Sequence, residues 1–543
     1  MGENWKIPFI KWAGEVRFWL VSLLIGIVSG GAALLFRKGV LMLESLVYAA
    51  DDVSKIHTIA ENLPWYWLLA VPVVGGLIVG LLLHFFTADG RPQAVPDVIE
   101  GAALNNGRTN IKAGLASTAA SLITLGMGGS SGREGPVIVL AGAVSTWVGD
   151  RLKADGVKGR DLLGCAVAAA IAASFNAPIA GAVFAMEVIL RHFSFRSFTP
   201  VVIASIAGSV LSRLTFGNVT EFALPTVNII EFYVELPAFV LLGIVCGLLA
   251  AIFVHSIFFV ENRVRDIQSV LGFPAWLFPT GSGVLLGIIA IWFPHIIGVG
   301  YETTSQALTG NLPLRELIVF SVVKVAAVAI TIGGRMGGGV FSPSLMVGAL
   351  TGLAFGLIAT GMFPEVSGYE TLYALAGMGA VAAAVLGSPI STILIVFELT
   401  GDWYAGLAVM LSISMSTAVS SKLIGKSFFY AQLERRGMHL SEGPQVGILG
   451  SRYVHMHLKG TEEIDEATHG MCMRMIRENI YLQQFDTLET AVEMFKNRER
   501  DFVPVVDFTG ERGDPELCGA LFHKDALKAH IRALEEKLAE EHG

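Results

Sequence analysis

Apolar residues along this chain come in long runs. They do not alternate as in a half-buried strand, nor do they form the 3.6-residue stripe of a surface helix. Phe18–Phe36, Leu63–Leu83, Leu236–Val254, Ser269–Pro294, Met336–Pro364, Thr371–Phe397 and Trp403–Ser421 carry no charged residue. A helix needs ~20 apolar residues to cross the hydrocarbon of a bilayer, and each run is about that long or longer. Backbone amides have no water to bond inside lipid, so the runs are expected to be mostly helical. After about residue 437 the pattern changes to short apolar stretches set among charges.

Composition sharpens that division. Hydrophobic residues make up 53% of the 543 residues and charged residues 15%, against about a quarter charged in a typical soluble domain. Residues 440–543 hold 20 acidic and 12 basic residues, and the rest of the chain holds 26 of each. The net charge of −8 therefore lies in the tail. The expected organisation is a membrane domain over 1–437 and a soluble tail over 438–543. Lys6, Lys11 and Arg17 precede the first run with no small-residue cleavage site after it. No cleavable signal peptide is expected, and the basic flank places the N-terminus on the cytoplasmic side.

Several runs contain glycine and proline where a plain spanning helix would not. Gly126–Pro136 reads GMGGSSGREGP and Gly333–Pro343 reads GGRMGGGVFSP. Each proline precedes an apolar stretch and is expected to open a helix within the membrane. Broken helices at that depth line a cavity, and their N-termini carry partial positive charge and free N–H groups that suit an anion.

These segments recur in order. Phe175–Glu187 reads FNAPIAGAVFAME and Leu386–Glu398 reads LGSPISTILIVFE, each with a Glu nine residues after the proline. Alanine-rich stretches precede both, and the proline of the Gly-rich loop lies 42 residues upstream in one half and 46 in the other. Two halves, roughly 18–220 and 230–435, thus share one order of elements. Such paired interrupted segments point to a transport site between the halves.

GREGP at Gly132–Pro136, GVFSP at Gly339–Pro343 and the two Pro-Ile…Glu segments resemble the signature of the CLC chloride channel and transporter family, over roughly residues 18–435. The resemblance implies an all-α polytopic membrane fold, a CLC-type inverted repeat of tilted and broken helices. It implies a homodimer with one pore per subunit in the cell membrane, moving chloride and, in exchangers, protons. It makes Glu134 the gating glutamate, a tethered carboxylate that occupies the anion site when ionised; from the residues alone, a helix-capping Glu is the competing reading. Gly132 and Gly135, with Gly338 and Gly339, let the backbone approach an ion. Val340 and Phe341 match positions whose backbone amides face the central anion, although Phe341 could equally be a packing residue. Arg133 either adds positive potential or anchors its loop, and the anchoring role is preferred.

Three positions depart from the family pattern. The loop Pro92-Gln93-Ala94-Val95-Pro96 has Gln93 where relatives carry Ser or His and lacks both their glycines. An amide still donates N–H to an anion. Val188 stands where proton-coupled members often have a second Glu. Phe429 aligns with a family Tyr that contacts the anion, with Tyr430 adjacent; a one-residue slip turns a helix by ~100°, so the two cannot substitute for one another. Val188 and Phe429 favour a chloride channel, and a chloride/proton antiporter of the same fold is the alternative.

The tail reads differently. Thr487 is expected to cap a helix whose apolar face is Ala491, Val492 and Phe495, Phe502–Asp507 reads as a strand, and the β-α-β-β-α order over about 471–530 is similar to one CBS motif. Residues 443–480 are a degenerate partner or a linker, and the final charged segment a solvated or pairing helix. CBS pairs bind adenine nucleotides between repeats; with one repeat legible, dimer packing is the expected role. His455 and His457 fit a solvated strand. Cys165, Cys246, Cys472 and Cys518 lack metal or redox spacing, and the two in apolar segments fit as small core residues. No resident cofactor, nucleic-acid partner or enzymatic constellation is expected.

Overall fold

The computed structural model describes residues 6–49, 55–154, 156–191, 193, 195–217, 232–364, 369–401, 403–438, 453–478, 480–484, 486, 488–496, 501–507, 515–529 and 531–532. The chain divides into two compact units, Met1–Met438 and His439–Gly543.

The first unit is built from helices. Its first half contains α1 (Lys6–Tyr48), α2 (Ile56–Ala60), α3 (Trp65–Phe86), α4 (Val95–Leu104), α5 (Ile111–Gly126), α6 (Glu134–Leu152), α7 (Val157–Phe175), α8 (Pro178–Phe184, extended by a wider turn over Ala185–Leu190) and α9 (Phe195–Phe216). Its second half contains α10 (Phe232–Leu271), α11 (Phe278–Trp292), α12 (Tyr301–Leu308), α13 (Leu314–Gly333), α14 (Phe341–Met362), α15 (Glu370–Leu386), α16 (Pro389–Thr400), α17 (Trp403–Ile424) and α18 (Phe428–Arg435).

Eight helices among the described residues are long and apolar enough to cross a membrane. Two of them, Ser197–Phe216 and Leu314–Gly333, lie outside the seven charge-free runs. Internal Arg213 in one, and Arg315, Glu316 and Lys324 in the other, hide them from a charge-free scan. Conversely, the run Thr371–Phe397 is two helices, because Gly387 adopts a left-handed φ of 68° and Pro389 opens α16. A left-handed glycine ends one helix and a proline begins the next.

The halves repeat element by element. The helix pairs α6/α14, α7/α15, α8/α16 and α9/α17 occupy matching places in the order of elements. Helix α1 packs on α7 and α9 as α10 packs on α15 and α17. Helices α8 and α16 lie antiparallel, each reaching the other's first turn. Glu187 accepts hydrogen bonds from the Ile390 and Ser391 amides at 2.9 and 2.8 Å and from the Ser391 hydroxyl at 2.7 Å. Glu398 accepts from the Ile179 and Ala180 amides at 2.9 and 2.8 Å. Each carboxylate satisfies N–H groups that a helix start leaves open, and the exchange is the mark of the inverted repeat.

The second unit carries a four-stranded sheet of order β1-β4-β3-β2, with β1 Lys459–Gly460, β2 Leu482–Gln483, β3 Phe502–Asp507 and β4 Glu516–Phe522. Strands β2 and β3 are parallel, and β4 is antiparallel to both β3 and β1. Helices α19 (Glu466–Arg477) and α20 (Leu488–Lys496) accompany it. From Leu482 onward, with helical residues 523–529, the order is β-α-β-β-α. Ala491 and Phe495 are buried against Val503, Val505 and Leu521. His455 and His457 are not on a strand: Val454–Met456 forms a short 3-10 turn, and His455 Nδ1 lies 3.1 Å from the Gln484 carbonyl. Thr487, residues 443–452 and most of the final charged segment lie outside the described residues.

Candidate anion pathway

The two Gly-rich loops meet at the middle of the first unit. Gly132 N–H donates to the Gly339 carbonyl at 2.6 Å, and Gly339 N–H returns a bond to Gly132 at 2.8 Å. This two-residue antiparallel bridge ties the start of α6 to the start of α14. A side chain would prevent it: a Cβ on Gly135 would come within 2.9 Å of Gly339 Cα. Gly338 adopts φ +127°, where a Cβ would collide with the Ser131 hydroxyl. Pro136 and Pro343 each sit in the first turn of the helix that follows, as the sequence predicts.

Beside the bridge lies a cavity of about 30 Å³, room for one or two water-sized occupants. Four helix starts line it: Ala94 and Val95 at α4, Glu134 and Gly135 at α6, Val340 and Phe341 at α14, and Phe428 and Phe429 at α18. Convergent N-termini give positive potential without a cationic side chain in the lining. The Phe341 ring packs on Phe175, centroids 4.9 Å apart, as well as facing the cavity.

Glu134 is 1% exposed. Its Oε1 accepts the Ser342 hydroxyl at 2.6 Å and the Tyr301 hydroxyl at 3.2 Å. Oε2 has no hydrogen-bond partner among the described residues. Arg133 does not line the cavity: its Nη2 donates to the Ser174 carbonyl at 3.1 Å, and its guanidinium stands over the Tyr301 ring at 4.9 Å. Its Nε lies 3.8 Å from Glu134 Oε1. Gly132 contributes the bridge rather than a cavity wall.

A second cavity of about 290 Å³ shares Ala94, Ile332, Gly338 and Gln432 with the first. Arg91, Arg265, Arg335, Arg435 and Arg436 line it against Asp89 and Glu261. Gln93 lies in this cavity and not in the narrow one. Its loop is held by Asp97, whose carboxylate accepts from the Ala94 amide at 2.8 Å, Arg91 at 3.0 Å and Arg436 at 3.1 Å. The Gln93 backbone N–H donates to Ser117 Oγ at 2.7 Å.

At α18 the structure turns Phe429 into the narrow cavity and Tyr430 away from it. The Tyr430 hydroxyl donates to the Val188 carbonyl at 3.2 Å, and Arg191 lies over its ring at 4.1 Å. Of the two alternatives at this register, Phe429 lines the narrow cavity and Tyr430 does not, because adjacent helical residues diverge by ~100°. Gln432, which sequence reasoning missed, lines both cavities, and its Oε1 is buried without a hydrogen-bond partner among the described residues. Its position three residues after Phe429 puts both on one helical face, a signal available in the sequence. Tyr301 and Ser342 were also missed.

A family model described as voltage gated chloride channel matches residues 75–421. A putative chloride channel protein ClcB-like from Ralstonia nicotianae is 29% identical over 413 residues, covering 75% of this chain and 94% of its own. Among solved structures, a slow cyanobacterial Cl⁻/H⁺ antiporter aligns with TM-score 0.68 and 22% identity over 77% of this chain and 98% of its own. A eukaryotic CLC transporter aligns with TM-score 0.67 and 17% identity over 94% of this chain and 98% of its own. At those identities the structural likeness is one of fold. With the family model spanning most of the membrane unit, the chain belongs to the voltage gated chloride channel, or CLC, family of multi-pass membrane proteins that carry anions.

Proposed function

We propose that the chain is a chloride channel gated by Glu134. The observation that carries the gate is the buried Glu134 carboxylate at the converging starts of α6 and α14, ground that favours an anion. Ionised and in place, it competes with chloride; protonated or displaced, it vacates the site. Glu134→Gln is expected to raise chloride flux and flatten its pH dependence. Unchanged flux at low and high pH would defeat this assignment.

Uncoupled conduction is supported by position 188. Its side chain is an apolar valine, its carbonyl accepts the Tyr430 hydroxyl, and the adjacent Glu187 carboxylate is engaged with the start of α16. The competing reading, chloride/proton antiport, draws on the solved Cl⁻/H⁺ antiporter of like fold. Reversal potentials in liposomes under a proton gradient separate the two. A channel follows the chloride Nernst potential at every pH, and a shift with the proton gradient would replace the channel by the antiporter.

The same reading makes the protein a homodimer with both termini cytoplasmic and the tail a CBS-like module that packs between subunits. Mass measurement in detergent, with and without residues 439–543, tests the assembly. Labelling of single cysteines from either side of sealed vesicles tests the orientation.

A further inference from the structure

We propose that Tyr301 and Ser342 are positioning residues that hold the Glu134 carboxylate in the anion pathway. The inference rests on Glu134 being the gate. Three separate elements meet at one oxygen: Glu134 opens α6, Tyr301 opens α12 and Ser342 lies in the first turn of α14. Both hydroxyls reach Oε1, at 2.6 and 3.2 Å, and they lie 3.4 Å from each other. Oε2 has no such partner among the described residues, so the hold on the carboxylate is one-sided. The Tyr301 ring is fixed beneath the Arg133 guanidinium, which limits where its hydroxyl can point.

Hydroxyl donors bond an ionised carboxylate more strongly than a neutral one. A chloride that displaces the gate must therefore break two charge-assisted bonds as well as win the site. Among the described residues, the charged and titratable groups in contact with the carboxylate are Arg133 beside it and Tyr301 itself. Glu44 from α1 lies against Gly298, and Lys324 from α13 lies against Gly300, just before α12. Arg133, Glu44 and Lys324 remain in every variant below, so a difference between variants reports on the hydroxyls.

The test is chloride flux from liposomes as a function of pH. Tyr301→Phe keeps the ring under Arg133 and removes only the hydroxyl; Ser342→Ala removes the other. Each is expected to raise flux at neutral pH and move the pH of half-maximal flux upward by about one unit. Ser342→Thr, which keeps a hydroxyl, should restore the original profile. In a Glu134→Gln background neither variant should alter the profile further. A half-maximal pH unchanged in Tyr301→Phe and Ser342→Ala, while Glu134→Gln still opens the pathway, would overturn the positioning role and leave the gate standing. Flux unchanged in Glu134→Gln would overturn the gate and this proposal with it. Should Ser342→Ala fail to fold, Tyr301→Phe alone carries the test.

Discussion

Gln93 and Gln432 present the same functional group at different depths. Gln93 lines the wide cavity, whereas Gln432 lines both the wide and the narrow one. Phe429, at the narrow cavity, has no hydroxyl to offer, so a carboxamide one helical turn away is the nearest polar side chain on that face of α18. An amide donates two N–H groups, and their loss matters most where the ion is least hydrated. Gln432→Leu is therefore expected to change the permeability ratio of nitrate to chloride more than Gln93→Leu does, measured as bi-ionic reversal potentials. A larger change from Gln93→Leu would place the selective contact in the wide cavity.

At the scale of elements, the reciprocal contacts of Glu187 and Glu398 join the two halves of the repeat. The spacing of nine residues from each proline to its glutamate is legible in the sequence. It sets each carboxylate at the far end of its helical segment, where an antiparallel neighbour begins. Glu187→Ala leaves two amides at the start of α16 without their acceptor and the Ser391 hydroxyl with only the longer contact to the Ser388 carbonyl at 3.5 Å. Hydrogen bonds to a charged group contribute about 1.5–3 kcal/mol. The exposed Ile390 amide regains water, so the lower end of that range is expected, read as faster thermal inactivation in detergent than in wild type. Glu398→Ala, which releases two amides, should be the milder of the two; equal rates for wild type and Glu187→Ala would show that α16 is held by packing alone.

At the scale of the molecule, the wide cavity gathers five arginines against two acids and shares part of its lining with the narrow cavity at the convergent helix starts. Like-signed walls around a cleft raise the local concentration of the opposite ion. Arg335→Gln is expected to lower flux severalfold at low ionic strength, with the deficit vanishing near ~1 M salt, where screening acts within ~3 Å. A deficit that persists at high salt would instead assign Arg335 a structural role, through its bond to Gln268 at 3.0 Å.

Much of this protein is written along one dimension. Charge-free runs, prolines at helix starts and the spacing of repeated motifs are local properties, and they determine a helical membrane body, its two halves and the place of Glu134 at a helix start. Where locality failed, the cause was local as well: charges inside Leu314–Gly333 masked a span, and Gly387 with Pro389 split a run into two helices. The partners of Glu134 are another matter. Tyr301 lies 167 residues from it and Ser342 208 residues, and Glu187 meets Ile390 across 203. No periodicity links positions so far apart. Glu134 meets its partners because two Gly-rich loops bridge at Gly132 and Gly339 while α12 packs on α14. Glu187 meets Ile390 because α8 and α16 pack on one another, and tertiary packing likewise decides that Phe429 lines the narrow cavity.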